Sequence, residues 1–197
     1  MWAVVGLGNP GRRYAGTRHN VGFTFIKRLA KTWKIRLRKK IFHSKAGQGE
    51  RKGERVLLAL PMTYMNNSGL AVKEILKGRG VKSEHFIVVY DDLDIPLGEI
   101  RVRKKGGPGT HKGMSSIVQE IGTTEFPRIR IGIGPLSPDE DATEYVLSPF
   151  NEAEDPHLDK GLKKAQEALE MVLSGGMEKA MNLYNQRDAG ADNIEKK

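Results

Sequence analysis

The chain contains no cysteine, which excludes disulfides, thiolate metal centres and a thiol nucleophile, and suits a reducing compartment. It also lacks a long apolar run. Residues 56–62 form the longest, interrupted by Pro61, and this is far short of the roughly 20 residues that span a bilayer. The first residues, Met-Trp-Ala-Val-Val-Gly, enter a strand-like pattern at once, with neither a basic start nor an apolar signal core. Secretion and membrane insertion are not expected, and the expected location is cytoplasmic. No serine stands in a G-x-S-x-G elbow, so nucleophilic catalysis by serine on an α/β-hydrolase turn is unsupported. Acidic residues are scarce at the front: residues 1–50 hold 12 Lys or Arg against the single acid Glu50, residues 51–135 hold 14 against 9, and residues 136–197 hold 7 against 14. The net charge of +9 is therefore concentrated in the first two-thirds. Such a surface suits a polyanion, because each neutralised phosphate releases counterions whatever the sequence.

What is present is one domain's worth of alternating strand and helix patterns. With 197 residues, 38% of them hydrophobic, the chain can bury one good core. Strand-type runs occur at residues 2–7, 55–60, 86–90, 100–104 and 129–133. Helical spacing links Val21, Phe25, Ile26, Leu29 and Trp33, then Met114, Ile117, Val118 and Ile121, then Leu158, Leu162, Ala165, Leu169 and Val172. Another helix is expected over 70–77, with Ser68 as N-cap and Gly78 as stop. The expected fold is α/β: a three-layer sandwich whose twisted, mixed but largely parallel sheet is flanked by helices. Residues 1–187 are read as a single domain, 188–197 as a flexible tail, and the last helices as packing on the rim. The glycine-rich stretch 104–113 reads as a mobile functional loop.

Gly6, Gly8 and Gly11 satisfy G-x-G-x-x-G directly after the first apolar run, the outline of a dinucleotide turn. In such a turn the helix follows at once, so that its N-terminus faces the pyrophosphate. Here apolar periodicity resumes only at Val21, and no acid occurs before Glu50 to bind an adenine ribose. NAD is disfavoured, and an NADP site would have to use Arg36 or Arg38. The glycines more simply shape a turn that presents Asn9.

Polar clusters fall where open α/β sheets gather their sites: Asn9 with Tyr14, Arg18-His19-Asn20, Met65-Asn66-Asn67-Ser68, and Asp91-Asp92-Leu93-Asp94. Asp91 follows a buried-strand pattern and is expected at its C-terminal end. A carboxylate there can take one imidazole N–H and hold the other nitrogen toward water, which makes His19 and Asp91 a candidate base and orienter. The acids also admit a turn or a magnesium site. Against magnesium, Asp91 and Asp92 should face opposite sides of a continuing strand. His43, His85, His111 and His157 carry no sharper hypothesis. Without a thiol or a serine elbow, hydrolysis needs activated water, which suits an ester better than an amide.

These residues resemble those of bacterial peptidyl-tRNA hydrolase: Val5-Gly-Leu-Gly-Asn-Pro-Gly11, Tyr14, Thr17-Arg-His-Asn20, Pro61-Met-Thr-Tyr-Met-Asn66, Ser68-Gly69, Asp91-Asp-Leu-Asp94 and Arg128-Ile-Arg-Ile-Gly-Ile-Gly134. The resemblance implies a monomeric enzyme that cleaves the ester between a peptide and the 3′ ribose of tRNA, acting on the acceptor stem and 3′ end, without metal or cofactor. It implies that His19 activates water, Asp91 partners it, and Asn9 and Asn66 hold substrate and orient the water. Tyr14 and Met65 would line the site. Arg101, Arg103, Lys104, Lys105, Lys112, Arg128 and Arg130 are candidate phosphate contacts. One position departs from the family's glycine loop, where Lys112 stands in place of the usual asparagine and offers a cation instead of an amide. That change keeps a second reading open, a tRNA-binding module without catalysis.

Overall fold

Trp2–Gly6 (β1) is buried at every residue, which requires cover on both faces and a neighbour on each edge. A computed structural model describes residues 1–186 and supplies both; the tail expected from 188 lies outside the described residues. β1 pairs in parallel with Glu54–Pro61 (β4) on one side and Phe86–Pro96 (β5) on the other. β5 continues in parallel to Arg128–Gly134 (β7). Antiparallel strands close the edges: Lys39–Ile41 (β2) and Ser44–Arg51 (β3) beside β4, and Ile100–Arg103 (β6) beside β7. The order is β2-β3-β4-β1-β5-β7-β6. Chain order reverses direction around β1, so the C-terminal ends of β1, β4 and β5 border a switch-point crevice.

Helices cover both faces. Val21–Thr32 (α1), Asp155–Leu173 (α5) and Met177–Tyr184 (α6) bury Phe25, Ile26, Leu29, Leu162, Leu169 and Ala180 on one side. Ser68–Arg79 (α2) and Lys112–Ile121 (α3) bury Val72, Ile75, Met114 and Ile117 on the other. A short helix, Ala142–Leu147 (α4), follows β7. The expected rim position of the last helices is corrected for α5: its spacing of Leu162, Ala165, Leu169 and Val172 makes it half of one layer, seated on β6, β7 and α1.

The glycines of the first loop serve packing. A Cβ at Gly22 would lie 2.5 Å from the Leu7 nitrogen and the Val89 oxygen, and one at Gly6 would lie 2.1 Å from the Gly22 oxygen. Only glycine lets α1 approach β1 this closely. Two 3-10 turns, Arg12–Tyr14 and Arg18–Asn20, separate the loop from α1, so no helix N-terminus faces the turn as a dinucleotide site requires.

Other boundaries moved. Of the two residues that could cap α2, Asn67 stands at the N-cap, since Ser68 is already helical and its hydroxyl donates to the Met65 carbonyl. Gly78 stays helical and packs on Phe42, and the helix ends at Gly80 in the left-handed region. Among the described residues, no helix is long and apolar enough to cross a membrane.

Candidate active site

Every element that ends near the β1–β5 boundary delivers a polar group to one pocket of about 720 Å³. The turn after β1 brings Asn9. Its side-chain oxygen accepts from the Met65 N–H at 2.8 Å, while its backbone N–H and carbonyl are paired with the Asn20 amide at 2.7 and 3.0 Å. These bonds tie three loops together and hold the Asn9 side chain at the pocket wall, with no partner for its Nδ2 among the described residues. The segment after β4 brings Met65, 4% exposed, and the exposed Asn66. Tyr14 lies edge-on to Tyr64 at 6.4 Å, and both line the mouth.

His19, on the 3-10 turn before α1, meets Asp91 of β5 across 72 residues of sequence, with His19 Nδ1 2.8 Å from Asp91 Oδ2. Asp91 is 3% exposed. Its second oxygen, Oδ1, lies 3.1 Å from His111 Nε2. His111 caps α3, its Nδ1 accepting the Met114 N–H at 3.2 Å. That bond occupies the Nδ1 lone pair and makes Nε2 the donor to Asp91. One carboxylate therefore takes two imidazole N–H groups, and among the described residues Nε2 is the unpartnered nitrogen of His19, on a side chain that lines the pocket. Burial opposes ionisation of Asp91, but His111 and then His19 outweigh it and hold the carboxyl well below the usual carboxylate range. One ligand atom from each of His19, Asp91 and His111 falls within 4.8 Å of the others. Both imidazoles use N–H groups toward the carboxylate, an arrangement that a cation would have to break.

The sequence pattern attached no role to His111. No local signal marks it, since its importance arises from a contact with Asp91 and from the cap of α3. Asp92 lines the same pocket as Asp91 but binds the Arg130 guanidinium instead of the histidines. Burial works against the Arg130 cation, and Asp92 more than offsets it, so its pKa lies above the usual value.

The basic residues divide. Arg103, Lys105, Lys112 and Arg130 line the pocket. Lys112 opens α3 and is exposed. Lys104 is exposed but lies outside the pocket lining. Arg101 lies outside the pocket lining and pairs with Glu99 at 3.0 Å. Arg128 also lines the pocket but is 2% exposed and donates to the carbonyls of Gly107, Thr124 and Phe126, so most of its guanidinium fastens the glycine-rich loop.

Fold and site together define a class: an α/β enzyme with a histidine–carboxylate pair in an open pocket at the sheet's switch point. Comparison with known proteins narrows it. A family model described as peptidyl-tRNA hydrolase matches residues 3–192. A peptidyl-tRNA hydrolase of Chloroflexus aggregans is 46% identical over 186 residues, covering 94% of this chain and 99% of the relative. One from Bacillus subtilis is 44% identical over 185 residues, covering 94% and 98%. The crystal structure of peptidyl-tRNA hydrolase from Acinetobacter baumannii superposes with a TM-score of 0.89 at 38% identity, over 95% of this chain and 96% of that one. The chain belongs to the peptidyl-tRNA hydrolase family, and it is an enzyme of that family.

Proposed function

We propose that the protein hydrolyses the ester joining a peptide to the 3′ ribose of tRNA, with water activated by His19 and without a metal. The observation that carries this reading is the His19 Nδ1–Asp91 Oδ2 contact at 2.8 Å, which leaves Nε2 as the base. Water held at Nε2 attacks the ester carbonyl carbon and gives its proton to Nε2. The tetrahedral intermediate then collapses, the ribose 3′ oxygen leaves, and the proton returns from His19 to that oxygen. The buried negative charge of Asp91 stabilises the imidazolium formed between the two steps.

The amides divide the remaining work. Asn9 and Asn66 donate to the peptide carbonyl and the water without changing charge. Tyr14 and Met65 give the terminal adenosine and the peptide an apolar wall. Arg103, Lys105, Lys112 and Arg130, grouped on the β6–β7 and α3 side of the pocket, receive phosphates of the acceptor end. A free aminoacyl ester carries an ammonium where the peptide carries an amide, so a site that hydrogen-bonds the amide disfavours the charged amine. The protein works as a monomer on this reading.

Single-turnover cleavage of N-acetyl-aminoacyl-tRNA and of unblocked aminoacyl-tRNA, each with and without EDTA, tests the proposal. Rapid loss of the blocked ester only, unaffected by EDTA, is the expected result. Equal cleavage of both esters refutes amide recognition, and loss of activity in EDTA refutes metal-free water activation.

A further inference from the structure

Residues 27–45 hold nine Lys or Arg and no acid, and they lie away from the pocket. α1 starts beside His19 and runs 12 residues to Thr32, so at 1.5 Å per residue its far end is about 18 Å from the site. There Lys31, Lys34, Arg36 and Arg38, followed by Lys39 and Lys40 on the edge strand β2, are all exposed. None of the six has an acidic partner among the described residues. The contrast with Arg28, which pairs with Asp159, and with Arg51, which pairs with Glu170, shows that acids are near at hand and that this strip is left unneutralised.

The strip is also held in place. Ile35 is buried and Leu37 half-buried, while Lys34, Arg36 and Arg38 between and beside them are exposed. Ile35 is seated over β3 where Gly47 and Gly49 lack side chains: a Cβ at either would come within 2.8 Å of it. The Ile35 N–H bonds the Ala30 carbonyl at 2.8 Å. Anchoring the backbone this way reduces the entropy lost when the cations engage a ligand.

We infer that the end of α1, the arm 34–38 and the edge of β2 form a second RNA-contacting face that receives phosphates of the duplex part of the tRNA whose 3′ end lies in the pocket. The inference rests on the proposed substrate. The spacing favours a duplex: about 18 Å is some five base pairs at 3.4 Å each, beyond the reach of a terminal trinucleotide confined to the pocket. The charge favours an anion along the whole strip, and the pocket's own cations stand on the opposite side of the site, on β6, β7 and α3.

Fluorescence anisotropy of deacylated tRNA across a salt series tests this, comparing the wild type with Lys34→Gln/Arg36→Gln/Arg38→Gln/Lys40→Gln. A control of equal charge loss, Lys77→Gln/Lys82→Gln/Lys163→Gln/Lys179→Gln, alters exposed lysines elsewhere. Each lost phosphate contact removes about 0.9 from the slope of log K against log salt. The strip variant is expected to lose about 3 to 4 from that slope, and the control less than about 1. Binding of a single-stranded CCA-ended oligonucleotide, and hydrolysis of a blocked aminoacyl ester on it, are expected to be unchanged in the strip variant. Equal slopes for both variants overturn the inference, as does an equal loss on tRNA and oligonucleotide. Unchanged tRNA binding with lost binding to phosphatidylglycerol vesicles overturns it in favour of a membrane. Failure of the wild type to cleave the oligonucleotide ester would count against the proposed reaction and leave the slope comparison standing.

Discussion

Replacing Asp91 with asparagine should act mainly through the tautomer of His19. The native carboxylate accepts an N–H from each of two histidines, His19 at 2.8 Å and His111 at 3.1 Å. An amide of the same shape offers one oxygen and one NH2, so one histidine must now present a lone pair. His111 resists, because its Nδ1 already accepts the Met114 N–H, and turning that nitrogen into a donor gives up a helix cap worth about 1 kcal/mol. His19 has no such second bond and gives way, placing its proton on Nε2, the nitrogen needed as base. A preference of about 1 kcal/mol leaves roughly one molecule in six with the productive tautomer. Loss of the charge facing the imidazolium adds about 2 kcal/mol to the barrier, the difference a charged partner makes to a hydrogen bond. The two effects multiply to about a 10²-fold fall in single-turnover rate. Adding His111→Ser frees the amide oxygen for His19 while serine keeps the cap, so Asp91→Asn/His111→Ser should run about fivefold faster than Asp91→Asn alone. Nitrogen NMR of histidine-labelled protein reads the tautomer directly. If His19 keeps its proton on Nδ1 in Asp91→Asn, or if the double variant is no faster, the reasoning is refuted.

Three stability measurements follow from the packing. Arg18, 6% exposed, lies over the Tyr145 and Phe150 rings with its guanidinium on Glu154 and the Pro149 carbonyl, so Arg18→Met should cost about 2 kcal/mol in urea unfolding by leaving Glu154 with only the Asn151 N–H; a loss under about 0.5 kcal/mol contradicts this. Gly22→Ala drives a Cβ into backbone atoms 2.5 Å away and should destabilise by about 3 kcal/mol, detected as a lower urea midpoint. The folded-state pKa of Asp91 is depressed from 3.8, so its ionised form stabilises the protein above that value and the benefit fades as pH falls below it. The stability gap between wild type and Asp91→Asn should therefore narrow on titration from pH 5 toward pH 2, and a constant gap would mean that the pairing contributes nothing.

The central strands and long helices were legible because burial on both faces writes continuous apolar runs and burial on one face writes a helical period. β3 was not. Its sequence, Ser-Lys-Ala-Gly-Gln-Gly-Glu-Arg, has no apolar run, since Gly47 and Gly49 are there to admit Ile35 from another segment, and only the tertiary contact explains them. α4 is too short, at six residues, to display a period. In the site, Asp91 was legible from strand-end logic and His19 from its position before a helix. His111 was invisible because its partner is fixed by the fold, and alternation puts Arg128 on the same face as Arg130 without revealing that a loop covers it.

The central claim is that His19 is the base. Single-turnover hydrolysis of N-acetyl-aminoacyl-tRNA by His19→Ala, beside the affinity of the same variant for deacylated tRNA, tests it most directly. A rate lowered by about 10²- to 10⁴-fold, the usual contribution of a positioned base, with tRNA affinity unchanged, is the expected result. Hydrolysis within a few-fold of wild type would contradict it and move water activation to another group.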